Sequence, residues 1–361
     1  MATAIVSDIH LGTASARDLL RREPARAALV EALAEVDELV LLGDLLELRE
    51  QPVAAVLDAA VPILRELGRA MADRPVTIVP GNHDHQLAAP MVEQLRLEAR
   101  PLELASEGEL PRGGPLEAVA HELEPARVRI AYPGVWVRDD VYATHGHYLD
   151  VHNTVPTFER LAIGAVQRVT GALPDGRLQP DDYEAAVSPV YALTYALAQS
   201  TRGGRLIGSD ASARAWQLLG AGAGNGRRRV TSLVLGGVVL PGAVAALNRA
   251  GLGPLKTDLS GRELRRAALA GMAQVVDRLG IEADHVIFGH THRSGPHERD
   301  TGGWDLPGGG RLMNTGSWIH EPVFLGAAPR ESPYFPGHLA FVPDSGAPEL
   351  RSLLDEIPPP D

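Results

Sequence analysis

The chain has 361 residues, 45% hydrophobic and 22% charged, which excludes disordered and collagen-like classes and suffices for one large domain or two moderate ones. A formal charge of −12 disfavours sequence-independent binding to nucleic acid, although two divalent cations in a pocket would reverse the local sign for a phosphate substrate. Without cysteine there are no disulfides or thiolate ligands, and the first residues lack the basic and long apolar regions of a secretory signal, so the expected location is the cytoplasm.

Residues 2–6 read as a short buried strand ending on Ser7-Asp8, followed by a helical pattern from Pro24 to Val36. A second apolar strand, Glu38–Leu42, ends on Gly43-Asp44, and a helix over 52–72 opens with Pro52 and carries Pro62 inside it. A third strand over 75–79 ends on Gly81-Asn82-His83. Strands alternating with helices imply a sheet covered on both faces, with ligands bound at the C-terminal strand ends. Residues 105–126, rich in Gly, Pro and Glu, read as a surface loop. Strands are expected over 127–131 and 135–143, leading to His145-Gly146-His147. The stretch over 153–270 reads as a mainly helical insertion, broken at 171–181, 202–209 and 220–229. Ser260 and Glu263 have capping-box spacing ahead of a helix with Leu264, Ala268, Met272, Val275 and Leu279 on one face, stopped by Gly280. The strand 285–288 then delivers Gly289-His290-Thr291-His292, and 311–318 and 338–342 read as closing strands.

Five clusters carry the chemistry: Asp8-Ile9-His10, Gly43-Asp44-Leu45-Leu46-Glu47, Gly81-Asn82-His83-Asp84, His145-Gly146-His147 and Gly289-His290-Thr291-His292. The spacing in Asp8/His10 and His290/His292 puts both side chains on one side of an extended segment, so both can reach one metal centre. The glycines permit the tight turns that leave such ligands exposed. A His/Asp/Asn set without Cys suits Mn, with Fe or Zn as alternatives, better than Ca, which prefers oxygen alone. One such cluster carries little weight, and any one of thirteen histidines is more often a surface or core residue than a ligand. Five in order, each after an apolar strand, are hard to obtain by chance.

The blocks resemble those of the calcineurin-like metallophosphoesterase superfamily: DxH, GDxx(D/E), GNH(D/E), a His-Gly cluster and GHxH, here across 1–150 and 275–345. The Asn314-Thr315-Gly316-Ser317 segment resembles one that commonly follows the last block. The resemblance implies a four-layer α/β/β/α sandwich with a discontinuous core over 1–152 and 271–345, the helical insertion over 153–270 and a C-terminal tail over 346–361. It further implies two divalent metal ions: Asp8, His10 and His292 on the first, Asn82, His145 and His290 on the second, and Asp44 bridging both. Two cations sharing a carboxylate, about 3.5–4 Å apart, turn a bound water into a hydroxide near neutral pH for in-line attack on phosphorus. His83, adjacent to Asn82, is assigned as general acid for the leaving oxygen or as a donor to the transition state. The resemblance assigns Glu47 to orient His83, and Asp84 could do the same by its place in sequence. His147 and Arg293 are candidate supporting or substrate contacts, while His85, His121, His152, His297, His320 and His338 read as surface histidines.

The expected reaction is hydrolysis of a phosphodiester or pyrophosphate, with a phosphomonoesterase or a catalytically weak binding member of the fold as alternatives and a DNA nuclease disfavoured by the acidic balance. Glu47 in GDLLE, the GHTHR run and MNTGSW resemble the branch of UDP-2,3-diacylglucosamine pyrophosphohydrolases, from which His83 and the greater length depart. The expected partner is a phosphorylated small molecule, a nucleotide diphosphate or a lipid phosphate. The uncharged run Val230–Leu247, flanked by Arg227-Arg228-Arg229 and Arg249, admits three readings: a buried cap helix, an acyl pocket or peripheral membrane contact over 227–249 at the inner face, or a membrane span interrupted by Gly and Pro.

Overall fold

The computed structural model describes residues 1–200, 240–258, 260–326 and 328–357. Strands β1 (Thr3–Val6), β2 (Glu38–Leu42) and β3 (Pro75–Val79) run parallel, with Ile5 opposite Val40 and Leu41 opposite Ile78. Helices α1 (Glu23–Ala32) and α2 (Val53–Ala70) connect them, and α2 continues through Pro62.

The segment 105–126, expected to be a loop, contains β4 (Ala105–Gly108) and α4 (Pro115–Glu122), and α3 (Ala89–Leu97) precedes them. Pro115 occupies the first helical turn, where its missing N–H costs nothing, and Leu116 and Val119 are buried. Instead of separate strands over 127–131 and 135–143, β5 (Arg127–Arg138) runs unbroken and β6 (Val141–Thr144) returns after a turn at Asp139-Asp140. The first part of β5 pairs with β3 and with β4, and the second part pairs with β6. Pro133 thus lies where the strand passes from one half of the sheet to the other, a position that tolerates a missing donor.

Beyond β6 the second half continues in parallel through β7 (His285–Phe288) and β8 (Arg311–Asn314), while β9 (His338–Val342) and β10 (Glu349–Ser352) extend the first half beside β1. Strand β8 ends at Asn314 rather than reaching 318, and β10 arises within the segment read as a tail.

Side-chain alternation assigns the layers. Ala4, Leu39, Leu41, Val76 and Ile78 point into a core shared with α1, α2, α3 and α4. Ile5, Val40, Leu42, Val79, Ala143 and Ile287 form a second core between the two halves of the sheet. Tyr142, Val286, Phe288 and Leu312 face a third core, closed by α5 (Phe158–Thr170), α6 (Pro180–Ala198) and α8 (Gly261–Leu279). This is the expected α/β fold, with helices outside two facing halves of one ten-stranded sheet. Ser260 caps α8 as its spacing predicted, but Ala267, Leu269 and Gly271 are buried where Leu264 and Ala268 are only half-buried.

Arg227–Arg229 and residues 230–239 of the uncharged run lie outside the described residues; the rest of that run belongs to α7 (Leu240–Arg249), where Val244 is buried. Among the described residues no helix is long and apolar enough to cross a membrane.

Candidate metal centre and active site

Parallel pairing brings the C-terminal ends of β1, β2 and β3 to one edge, and β6 and β7 deliver their own ends beside them. The His10 N–H donates to the Asp44 carbonyl at 2.7 Å, Gly289 N–H to the His145 carbonyl at 3.0 Å and Trp318 N–H to the Asp8 carbonyl at 2.9 Å. The first two bonds hold loops together within each half of the sheet, and the third ties the two halves to each other. Five of the eight non-glycine residues with positive φ among the described residues are expected ligands: Asp8 (53°), His10 (51°), Asp44 (52°), His290 (67°) and His292 (56°). Left-handed backbone costs an L-residue roughly 1–2 kcal/mol, so such strain gathered at one edge marks a functional site. Two glycines make room: a Cβ on Gly81 would run into Asp44 and His145, and one on Gly43, at φ +80°, into His145.

All seven expected ligands converge. Ligand atoms of Asp8, His10 and His292 lie within 4.8 Å of one another, as do those of Asp44, His145 and His290. Asn82 Oδ1 is 3.1 Å from His145 Nε2 and 3.0 Å from His290 Nδ1. Asp44 reaches both groups, with Oδ2 3.6 Å from His10 Nε2 and 3.2 Å from His145 Nε2.

The nitrogen geometry tests whether cations fit. His10 gives Nδ1 to Glu47 at 2.9 Å, and His292 turns Nδ1 toward Glu321 at 3.4 Å. Their Nε2 atoms consequently face each other at 3.2 Å, where at most one can carry a proton. His145 donates Nδ1–H to the Leu42 carbonyl at 3.0 Å, which aims Nε2 at oxygens of Asn82 and Asp44. A lone pair against oxygen is repulsive, so the centre demands protons or cations.

The acid–base balance agrees. Burial pushes the Asp44 carboxyl up, but His145, His83 and His10 outweigh it and hold it well below its ordinary value; Asp8 is lowered likewise by His145 and His292. Burial opposes a charge on His145, yet Asp44 and Asp8 raise it to about 9. Without cations the imidazoles supply the balancing charge; with cations they become neutral ligands.

His83 lies at this centre as expected. Its backbone N–H donates to Asp44 Oδ1 at 2.8 Å, and its Nδ1 meets both Glu47 oxygens, at 2.9 and 2.7 Å. Its side chain stays 25% exposed.

Asp84, His147 and Arg293 each have partners of their own. The Asp84 carboxylate does not reach His83: it accepts the N–H groups of Asp44, Leu45, Leu46 and Gly81 and so shapes the Asp44 loop. Burial and the adjacent Asp44 push it up to about 6. His147 is buried under Tyr132, whose hydroxyl is 3.1 Å from Nε2; burial and the neighbouring His145 and His290 hold it well below its ordinary value. Arg293 is taken up by Asp300 at 2.5 Å and lies over the Trp304 ring. Of the presumed surface histidines, His85 and His338 are buried, and His85 binds Glu184 at 2.9 Å.

Sequence reasoning missed the supporting partners. Asp150 accepts His290 Nε2–H at 2.9 Å, which turns Nδ1 to the centre. The Ser7 hydroxyl bonds Asp8 and lies 2.6 Å from Thr315 Oγ1, while Asn314 Nδ2 donates to the Gly289 carbonyl at 2.7 Å. No local pattern announces such pairs.

Residues 1–166 match the model of the calcineurin-like phosphoesterase superfamily domain, a segment that carries every expected ligand except His290 and His292. This match and the Asp/His groups support the superfamily, and with it a hydrolase of phosphoesters that uses divalent metals.

Proposed function

We propose that the chain hydrolyses a phosphodiester or pyrophosphate bond in a small phosphorylated molecule, such as a nucleotide diphosphate or lipid phosphate, in the cytoplasm. The observation that carries this reading is a partly exposed His83, fixed by buried Glu47, beside groups of Asp and His side chains that could hold metal ions. Asp8, His10 and His292 would hold one divalent metal, Asn82, His145 and His290 the other, and Asp44 both, with Mn the best fit and Fe or Zn alternatives. When bound, such cations neutralise phosphoryl oxygens and acidify water for attack on phosphorus.

The protein's own residues supply the rest. Glu47 accepts His83 Nδ1–H and thereby keeps Nε2 directed at the leaving oxygen, to which it delivers a proton. Asp84 holds the Asp44 loop, and Asp150 fixes the ring of His290. The likeness to UDP-2,3-diacylglucosamine pyrophosphohydrolases in GDLLE, GHTHR and MNTGSW favours a diphosphate, although His83 departs from that branch.

The test compares bis(p-nitrophenyl) phosphate with p-nitrophenyl phosphate in the presence of Mn, for wild type and His83→Ala. Preference for the diester is expected, and His83→Ala should lower turnover of both substrates by less than about tenfold, since p-nitrophenolate departs without a proton. A strong monoester preference would replace this reading with a phosphomonoesterase.

A further inference from the structure

Arg49 follows the Asp44 loop and is 5% exposed. Its backbone N–H donates to Glu47 Oε1 at 3.1 Å, beside the carboxylate that holds His83. One terminal nitrogen donates to Glu159 Oε1 at 3.1 Å, in the first turn of α5. The remaining nitrogens, Nε and Nη1, are buried and meet no acceptor. The Tyr191 hydroxyl, arriving from α6, is also buried without a partner. It lies within electrostatic reach of Arg49, Glu159 and Asp150, and Asp150 is bonded to His290. Glu159 in turn feels the charges of His83 and His290.

Unused donors thus collect between the metal centre and helices α5 and α6. Buried donors without acceptors are costly, and a guanidinium fork matches two oxygens of a phosphoryl group better than a single carboxylate oxygen. Glu159 keeps 22% of its side chain exposed, so it has water to turn toward when displaced.

We propose that Arg49 and Tyr191 form a second anion subsite, which takes the non-reacting phosphoryl group of a diphosphate ester by displacing Glu159 from Arg49. The proposal rests on the phosphoester-hydrolase reading and narrows its substrate class. No covalent bond changes in the exchange: phosphoryl oxygens accept from Nε, Nη1 and the tyrosine hydroxyl while the Glu159 carboxylate moves to solvent.

The experiment titrates Mn-loaded full-length protein with inorganic pyrophosphate and inorganic phosphate, for wild type, Arg49→Met, Arg49→Lys, Tyr191→Phe and Glu159→Gln. Wild type should prefer pyrophosphate by about tenfold or more, and Arg49→Met should reduce that ratio to about threefold or less. Tyr191→Phe should lower it in part, and Glu159→Gln, which removes the competing carboxylate, should tighten pyrophosphate binding several-fold. In turnover, Arg49→Met should lower kcat/KM for a nucleoside diphosphate ester relative to bis(p-nitrophenyl) phosphate by about tenfold. Should Arg49→Met fail to fold, Arg49→Lys and Glu159→Gln carry the same comparison, since Lys keeps the charge but not the fork. An unchanged preference in the Arg49 variants, or looser pyrophosphate binding in Glu159→Gln, would overturn the subsite and leave Arg49 a structural tie for α5. Turnover of bis(p-nitrophenyl) phosphate with an unaltered preference would sink the subsite alone. No phosphoester turnover, with the preference intact and sensitive to Arg49, would sink the hydrolase reading instead.

Discussion

Glu47→Gln removes one charge and leaves the shape almost intact. The Glu47 side chain is 3% exposed and meets His83 Nδ1 at 2.7 and 2.9 Å and His10 Nδ1 at 2.9 Å. Burial pushes its carboxyl up, but the imidazoles of His83 and His10 outweigh burial and hold it far below the ordinary value of 4.5. Because its folded pKa is depressed, the stabilisation it gives persists at every pH above 4.5 and is lost only as pH falls below that. An amide offers one acceptor oxygen where three N–H groups, those of His83, His10 and the Arg49 backbone, must be satisfied. Losing a hydrogen bond to a charged group costs about 1.5–3 kcal/mol, which is roughly a 10- to 100-fold loss in a step that needs the His83 proton. The assay is kcat at saturating Mn for a diester with an alkoxide leaving group beside one with p-nitrophenolate, which departs without a proton. Glu47→Gln should lose about 100-fold on the alkoxide and less than about tenfold on the nitrophenolate, and His83→Ala should show the same pattern. The double variant should be no worse than His83→Ala within about threefold. Equal losses on both leaving groups together with lost metal would refute the reasoning, since Glu47 would then serve His10 alone.

Other outcomes follow from the same geometry. Gly81→Ala drives a methyl into Asp44 and His145, so metal content should fall while far-ultraviolet circular dichroism stays near wild type; full metal content would contradict the cradle. His145, raised to about 9 from an ordinary 6.5, is protonated between those values in the metal-free fold, so Mn binding at pH 7–8 should release protons and tighten as pH rises toward 9. Calorimetry in two buffers of different ionisation enthalpy checks this, and identical heats would contradict it. Glu184 accepts the hydroxyls of Tyr132 at 2.6 Å and Tyr148 at 2.8 Å and binds His85 at 2.9 Å, so Glu184→Gln should cost about 2–4 kcal/mol in urea unfolding. A loss under about 0.5 kcal/mol would mean that this network holds α6 only weakly.

What was legible in the sequence is the part encoded locally. Short apolar runs such as 38–42 and 285–288, each followed by Gly and a ligand residue, mark both a strand and its functional end. The residues that converge at the candidate centre were therefore readable, along with the pairing of His83 with Glu47 through resemblance. Contacts between distant segments left no such trace: Asp150 with His290, Arg49 with Glu159, and Glu184 with Tyr132. Asp84 misled because proximity in sequence to His83 says nothing of where a carboxylate points, and four backbone amides claim it. The partners of Arg293, Asp300 and Trp304, left no trace in the sequence either. The Gly- and Pro-rich composition of 105–126 hid β4 and α4, whose stability comes from pairing with β5 and from burying Leu116 and Val119. The left-handed backbone at Asp8, His10, Asp44, His290 and His292 is uncommon even for Asp and His, the non-glycine types that adopt it most readily, and no local pattern foretells it.

The central claim is a two-metal centre in which Asp44 joins both cations. Its most direct test is Mn titration of chelator-treated full-length protein, with bound metal counted by mass spectrometry and bis(p-nitrophenyl) phosphate turnover followed at each addition. The account predicts two equivalents bound, turnover that appears with the second, and loss of one equivalent together with turnover in Asp44→Asn. A single equivalent, or turnover unaffected by chelation, would contradict it.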